Sequence, residues 1–184
     1  MVHERRPARS EMAGRDRVTR LGQQARDAWA ALMASKLHDE RTAVEGVDLE
    51  RDEVAFCVVE DARLVEPSRG EPQTETDSGL FVVTNTRCVF RRPGRSIEWA
   101  YARLLEYSLE GESVTMFRVS DRQTTMGVRY AVESTPQIDA TIAAAIARFR
   151  GEDEHAALVD ELEQDHHKIF AEWEEASSHV PPTA

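Results

Sequence analysis

The sequence has few of the features that stabilise secreted or membrane proteins. Its 184 residues include two cysteines, Cys57 and Cys88, and both lie in apolar, strand-like runs. A reduced thiol in such a run behaves as a small core hydrophobe, which excludes a disulfide framework. The chain also lacks a run of about 20 apolar residues, and its arginine-rich residues 1–20 lack the apolar segment of a secretion signal. We therefore expect a cytoplasmic protein, with peripheral attachment to a membrane as the alternative.

Positive charge is scarce. The chain has 23 basic and 34 acidic residues, a net charge of −11, and its only lysines are Lys36 and Lys168. Six of the basic residues fall within residues 1–20, whereas residues 134–184 contain three basic and eleven acidic residues. Such a chain repels nucleic acids and anionic bilayers over most of its surface. We predict that it has no nucleic-acid partner.

Patterns that carry catalysis or bind metals are also lacking. The sequence contains no glycine-rich phosphate loop and no readable Ser-His-Asp arrangement. Glu163, His166 and His167 offer metal-capable groups within one helical turn, but a closed site needs further ligands, and His166 lies on an apolar stripe. We predict that the protein is not an enzyme and has neither a cofactor nor a metal site.

The N-terminal segments are polar and then helical. Residues 1–15 are rich in arginine, without periodicity, and are predicted to be disordered. Residues 16–46 are predicted to form an amphipathic helix, ending near His38, and its linker. The stripe on that helix repeats every three or four residues and consists of Val18, Leu21, Ala25, Ala28, Trp29, Leu32 and Met33.

The C-terminal segment, residues 151–177, is predicted to be a second, acidic amphipathic helix, followed by a disordered tail at residues 178–184. Its apolar stripe alternates steps of four and three residues, a heptad-like spacing. We expect the helix to use this stripe in one of three ways: to pack on the domain, to pair with the N-terminal helix, or to dimerise with a second copy. Its members are His155, Val159, Leu162, His166, Ile169, Trp173 and Ala176.

Residues 47–150 alternate short apolar runs with turn signals, a pattern typical of antiparallel strands. The long connection at residues 66–78 is predicted to be an exposed loop, and Pro93-Gly94 a tight turn. A helix with the stripe Ile138, Ile142, Ile146 and Phe149 begins at Ser134-Thr135-Pro136-Gln137, with Ser134 as its hydroxyl cap. The seven predicted strands are residues 53–65, 79–84, 87–92, 96–100, 104–109, 113–119 and 125–132.

The second and third strands carry a recognisable motif, Gly-x-x-x-x-Thr-Asn-x-Arg-x-x-Phe, formed by Gly79, Thr84, Asn85, Arg87 and Phe90. Together with residues 97–101 and Leu104-Leu105, it resembles the pleckstrin-homology-like (PH-like) superfamily, with bacterial PH-like and GRAM-like domains as the nearest subgroups. The resemblance implies an α+β fold for residues 47–150. This fold is a seven-stranded antiparallel barrel of two near-orthogonal sheets, capped by a C-terminal helix, to which both outer helices are additions. It also implies binding of lipid headgroups, peptides or proteins and not catalysis.

One candidate site is the basic hairpin of Arg91, Arg92 and Arg95, with Arg87 beside it. Guanidinium groups around a tight turn can chelate a phosphate or carboxylate through charge-assisted hydrogen bonds. The alternative is a solvated turn and, for Arg87, a structural role within the motif. Many lipid-binding members build their pocket around the first loop, but residues 66–78 hold one base against four acids, which counts against a lipid ligand.

The other candidate is an interface on the outer helices, formed by Trp29, Leu162, Ile169 and Trp173. Core packing is the alternative for these residues, but an apolar stripe left in water favours pairing with a protein partner or a second copy. We therefore predict a non-enzymatic interaction module that mediates protein–protein contacts or self-association. Binding of anionic lipid headgroups by the Arg91–Arg95 hairpin is the alternative, followed by a small ligand in the barrel.

Overall fold

The structure, a computed structural model, describes residues 9–38, 40–66, 74–119 and 125–179. The chain forms three helices and a seven-stranded sheet, and short 3-10 turns at Tyr101–Arg103 and Val132–Ser134 connect some of these elements. The helices are α1 (Arg9–Ser35), α2 (Thr135–Arg150) and α3 (Glu152–Ser178). The strands are β1 (Ala55–Glu66), β2 (Thr74–Thr84), β3 (Arg87–Arg92), β4 (Arg95–Ala100), β5 (Glu106–Glu110), β6 (Val114–Arg118) and β7 (Met126–Arg129).

All pairs in the sheet are antiparallel, and the strand order is β4-β3-β2-β1-β7-β6-β5. The long central strand β1 pairs with β2 along its length and with β7 near its end. A bulge at Asp61, which has φ 57°, lets this strand bend between the two halves of the sheet. The predicted fold class is confirmed in its architecture: the chain is α+β, with a seven-stranded antiparallel sheet followed by C-terminal helices. One detail differs, because β4 and β5 stand at opposite ends of the order and the barrel is not closed.

The core lies between the sheet and α2. The predicted stripe on α2 is buried at Ile138, Ile142 and Ile146, whereas Phe149 at the end of the helix is exposed. The Trp99 and Phe117 rings stack with their centroids 4.7 Å apart. Large side chains therefore fill the interior, and this packing gives no support to a small ligand in the barrel. They include Leu64, Phe81, Phe90, Trp99, Phe117 and Val128.

Several boundaries differ from the sequence predictions. Helix α1 begins at Arg9, within the segment predicted to be disordered, because extending a helix that is anchored elsewhere adds a hydrogen bond for each residue fixed. Strand β2 begins at Thr74, inside the predicted loop. The predicted cap at Ser134 is not formed, because its side chain makes no capping hydrogen bond. The hydroxyl of the next residue, Thr135, donates to the Glu112 carbonyl at 2.8 Å and ties the start of α2 to the β5–β6 turn. Predictions for residues 1–8, 67–73 and 180–184 lie outside the described residues.

Helices α1 and α3 pack side by side and antiparallel, and both contact α2. Near one end of this pair Gly22 lies against Trp173, and near the other the Nε2 of His155 donates to the Ser35 carbonyl at 2.8 Å. All seven members of the predicted α3 stripe are half-buried. The stripe therefore pairs with the N-terminal helix, one of its three predicted positions. We call this pair the helical hairpin. Across the described ranges, no helix is both long and apolar enough to cross a membrane.

Candidate functional site

The motif residues of the β2–β3 turn hold the segment that leads into β1. The Oδ1 of Asn85 accepts from the Val54 N–H at 3.0 Å, and its Nδ2 donates to the Asp52 carbonyl at 3.0 Å. The motif glycine, Gly79, allows a close approach, because a Cβ there would stand 2.5 Å from the Arg91 carbonyl oxygen. These contacts explain two motif positions by packing and hydrogen bonding within the fold.

Arg87, a predicted ligand-binding residue, lies at the centre of a buried ionic network. Its Nε and Nη2 donate to the two carboxylate oxygens of Glu53, each at 2.8 Å, and its Nη1 pairs with Glu98 at 2.7 Å. Its Nη2 also donates to the Asp48 carbonyl at 2.9 Å, and Thr84 Oγ1 donates to Glu53 at 2.7 Å. The Glu53 and Arg87 side chains are only 1% and 12% exposed. The donors that a ligand would need are thus engaged with acceptors of the protein.

The electrostatics of this network keep both partners ionised. The hydrogen bond to Glu53 raises the pKa of Arg87, although burial opposes this. Burial alone would raise the pKa of Glu53, but hydrogen bonds from Arg87, from the Glu50 backbone and from Thr84 hold it below its usual value. At neutral pH both side chains are therefore charged. We call their ion pair the clasp at Arg87, and it fixes the segment of the chain that leads into β1.

The rest of the basic hairpin lies at the far end of β3. Arg92 pairs across the strands with Arg95, and Gly94 takes φ 74° in the turn, as the Pro93-Gly94 pattern predicts. Arg91 is exposed, while Arg95 forms an ion pair with Glu66. Since a strand rises about 3.3 Å per residue, Arg87 stands roughly 17 Å from the tip. The fold therefore does not bring the four predicted arginines together.

The four predicted interface residues fall on two sides of the helical hairpin. Leu162 and Ile169 are half-buried and line a hollow on the side where α1 meets the start of α2. Trp29 and Trp173 lie on the opposite side, where Trp29 is 51% exposed and Trp173 is half-buried. The two tryptophans share one surface, and that surface is the stronger candidate because its aromatic groups reach solvent.

The surface around these tryptophans is a shallow groove of about 390 Å³ between α1 and α3. Four rings follow one another along it. The centroids of Trp29 and His166 are 5.2 Å apart, those of His166 and Phe170 5.9 Å, and those of Phe170 and Trp173 5.4 Å. Phe170 is 39% exposed. We call this surface the aromatic groove. Its lining residues are Gly22, Ala25, Arg26, Trp29, His166, Phe170 and Trp173.

Helical spacing and one glycine create the groove. On each helix, residues spaced three or four positions apart share one face. These are residues 22, 26, 29 and 33 on α1 and residues 163, 166, 170 and 173 on α3. Gly22 leaves room for the indole of Trp173, since a Cβ at Gly22 would stand 3.1 Å from the indole Nε1. The floor of the groove is therefore apolar and suits apolar or aromatic side chains of a partner.

Sequence reasoning missed Gly22, Arg26 and Phe170 as members of this surface. Phe170 lies outside the heptad-like stripe, so periodicity gave it no role. The available signal was its position four residues after His166 and three before Trp173, an aromatic cluster in an otherwise acidic helix.

Neither cysteine lies in a setting that would activate its thiol. Burial raises the pKa of Cys57 to about 11 and that of Cys88 to about 12, so both thiols stay protonated and weakly nucleophilic at neutral pH. Within the part of the chain that the structure describes, no group of three or more His, Cys, Asp or Glu side chains is placed to hold a metal ion.

Comparison with known proteins gives similarity among solved structures only. The sequence matches no protein-family model, and no curated protein matches it. Among solved structures, the chain is similar to the N-terminal PH domain of Vps36, with a TM-score of 0.43 and 12% sequence identity. The match covers 60% of this chain and 92% of that domain.

Proposed function

We propose that this protein is a non-enzymatic PH-like interaction module that contacts another protein chain through its aromatic groove. The sheet, the clasp at Arg87 and α2 form the rigid support, and the helical hairpin presents the contact surface. A cytoplasmic location and membership of the bacterial GRAM-like subgroup belong to the same proposal.

The exposure of Trp29 is the observation that carries this proposal. About half of the Trp29 surface faces solvent, beside the partly exposed Phe170. Burying roughly 125 Å² of indole against a partner contributes about 3 kcal/mol at 25 cal/mol per Å². Tryptophans in such positions are frequent energetic centres of protein interfaces. The groove thus has the composition of a contact surface and offers no reactive group in a catalytic setting.

The lipid alternative rests on weaker features. Arg95 is paired with Glu66, and Arg87 is engaged within the fold at the other end of the hairpin. An anionic headgroup would therefore meet mainly the exposed Arg91 and the half-buried Arg92, on a chain whose net charge is −11. Charge repulsion over the rest of the surface opposes binding to an anionic bilayer.

Site-specific photocross-linking tests the proposed function. A benzophenone amino acid replaces Trp29 in one sample and Leu105 in another. Leu105 is equally exposed, at 53%, and lies just before β5, outside the groove lining. We expect protein adducts from position 29 in the purified chain, or with a defined protein in extracts of the source cells. These adducts should disappear when Phe170→Ser is added. Equal adduct yields from positions 29 and 105 would contradict the proposal.

A further inference from the structure

We propose that the occupant of the aromatic groove is a second copy of this chain, packed face to face so that α1 of each copy lies over α3 of the other. This inference rests on the proposed function and names the partner at the same surface. The resulting arrangement is a four-helix contact related by a twofold axis that runs along the groove.

The charges of the two helices select this arrangement. Helix α1 contains five arginines and three acidic residues, whereas α3 contains ten acidic residues and one lysine. Placing α3 over α3 would oppose two strongly acidic helices, which costs binding energy and slows association. A twofold axis along the groove exchanges the helices, so that the more basic one always faces the acidic one. The surface is therefore complementary to itself.

The rim of the groove repeats this pattern locally. On α1, Arg26 lies three residues before Trp29 and lines the groove. On α3, Glu163 and Glu174 are exposed and stand seven residues before and four residues after the groove residue Phe170, on the same helical face. The proposed axis places the Arg26 side of one copy beside the Glu163 and Glu174 side of the other. It also brings Trp29 of one copy towards Phe170 of its partner.

The size of the helical hairpin fits a weak dimer. Between the contacts of Gly22 with Trp173 and of Ser35 with His155, α1 advances about 20 Å and α3 about 27 Å, at 1.5 Å per residue. Two helices about 10 Å wide then offer roughly 400 to 540 Å² on each copy, or about 800 to 1,100 Å² in total. This range lies around the roughly 1,000 Å² expected of a specific interface, which is the size of weak, transient contacts. Self-association should therefore depend on concentration in the micromolar range.

Sedimentation velocity of the purified full-length chain is the first test. We expect a monomer–dimer equilibrium between about 1 and 200 μM, the range of a small interface. Trp29→Ser and Arg26→Glu should each raise the dissociation constant at least about tenfold, since central aromatic and charged contacts dominate such interfaces. Leu105→Ser, an equally exposed apolar change elsewhere, should leave it unaltered. Far-UV circular dichroism checks that each variant is folded.

A charge exchange in trans then tests the arrangement. Arg26→Glu in one chain, and Glu163→Arg with Glu174→Arg in another, should each weaken the homodimer, because each places like charges across the interface. Mixing the two variants should restore dimers, because every cross-interface contact becomes attractive again.

Three results would overturn the inference. These are a monomer at every concentration, a dimer indifferent to Trp29→Ser and Arg26→Glu, and a mixture of the charge variants that stays monomeric. If position 29 cross-links a different protein while the pure chain stays monomeric, the second-copy inference fails and the proposed function stands. Without cross-links or dimers, both fail.

Discussion

Replacing Glu53 with glutamine should destabilise the fold strongly, although the two side chains are nearly identical in shape. Both carboxylate oxygens of Glu53 accept hydrogen bonds from Arg87, and they also accept from Thr84 Oγ1 and from the Glu50 N–H. Glutamine has one accepting oxygen, and its NH₂ group would face a donor. It also removes the more deeply buried of the two negative charges that compensate a guanidinium which is only 12% exposed, and leaves the half-exposed Glu98 as the remaining partner.

The expected loss follows from the burial of this pair. Removing one partner of a buried ion pair costs about 3 kcal/mol, because the other charge remains desolvated. In a protein of this size each kcal/mol changes Tm by roughly 2–4 °C, so we expect a decrease of about 9 °C. Glu53 has a lowered pKa in the folded protein, and its stabilising contribution is therefore complete above its usual pKa of 4.5. The contribution is lost as the pH falls through the lower folded-state value.

Urea unfolding monitored by circular dichroism, repeated from pH 7 down to pH 3, measures both effects. The matched control is Glu106→Gln, which breaks an ion pair with Arg118 of the same 2.8 Å length but with side chains 60% and 40% exposed. That change should cost less than about 1 kcal/mol. The reasoning is refuted if Glu53→Gln is no more damaging than Glu106→Gln at pH 7. It is also refuted if the loss due to Glu53→Gln persists undiminished at acidic pH.

Three further outcomes are expected. Burial raises the pKa of Asp139, because it disfavours the charged carboxylate. Asp139→Asn should therefore increase the free energy of unfolding at pH values above that raised pKa, and should have no effect at pH values below the usual pKa range of aspartate. Urea unfolding at a series of pH values measures both. Gly22→Leu should displace Trp173 and destabilise the fold by about 1–3 kcal/mol, whereas Gln23→Leu on the exposed face should do neither. Urea unfolding measures the loss of stability, and acrylamide quenching measures the exposure of the indole. In flotation with anionic vesicles we expect no binding of the protein. Binding that weakens with salt and is abolished by Arg91→Glu would restore the lipid alternative.

The sheet could be predicted from the sequence because its signals are local. Apolar alternation, the Pro93-Gly94 turn and the Gly79-to-Phe90 motif each restrict the backbone over a few residues, and strand β3 coincides with its prediction. The start of β2 could not be predicted, because residues 74–78 have no apolar run and join the sheet through pairing with β1. The role of Arg87 could not be decided from the sequence either, because it also depends on a long-range contact. Its partner Glu53 is 34 residues away in the chain, and only the fold brings the two together.

The surface of the helical hairpin shows where periodicity stops being informative. A stripe of apolar residues predicts that a helix buries one face, but not how wide the neighbouring element is. Helix α1 uses the buried part of its stripe, Leu21, Ala25 and Leu32, to pack inside the protein, and this leaves Trp29 and Met33 at the edge. Identical spacing therefore produced core residues and exposed residues on the same helix. What separates them is the position of α3, which depends on contacts more than 100 residues apart in the chain, such as that between His155 and Ser35. Trp29, in the exposed remainder of the stripe, lines the aromatic groove, and the groove could therefore be located only after the helices had been placed.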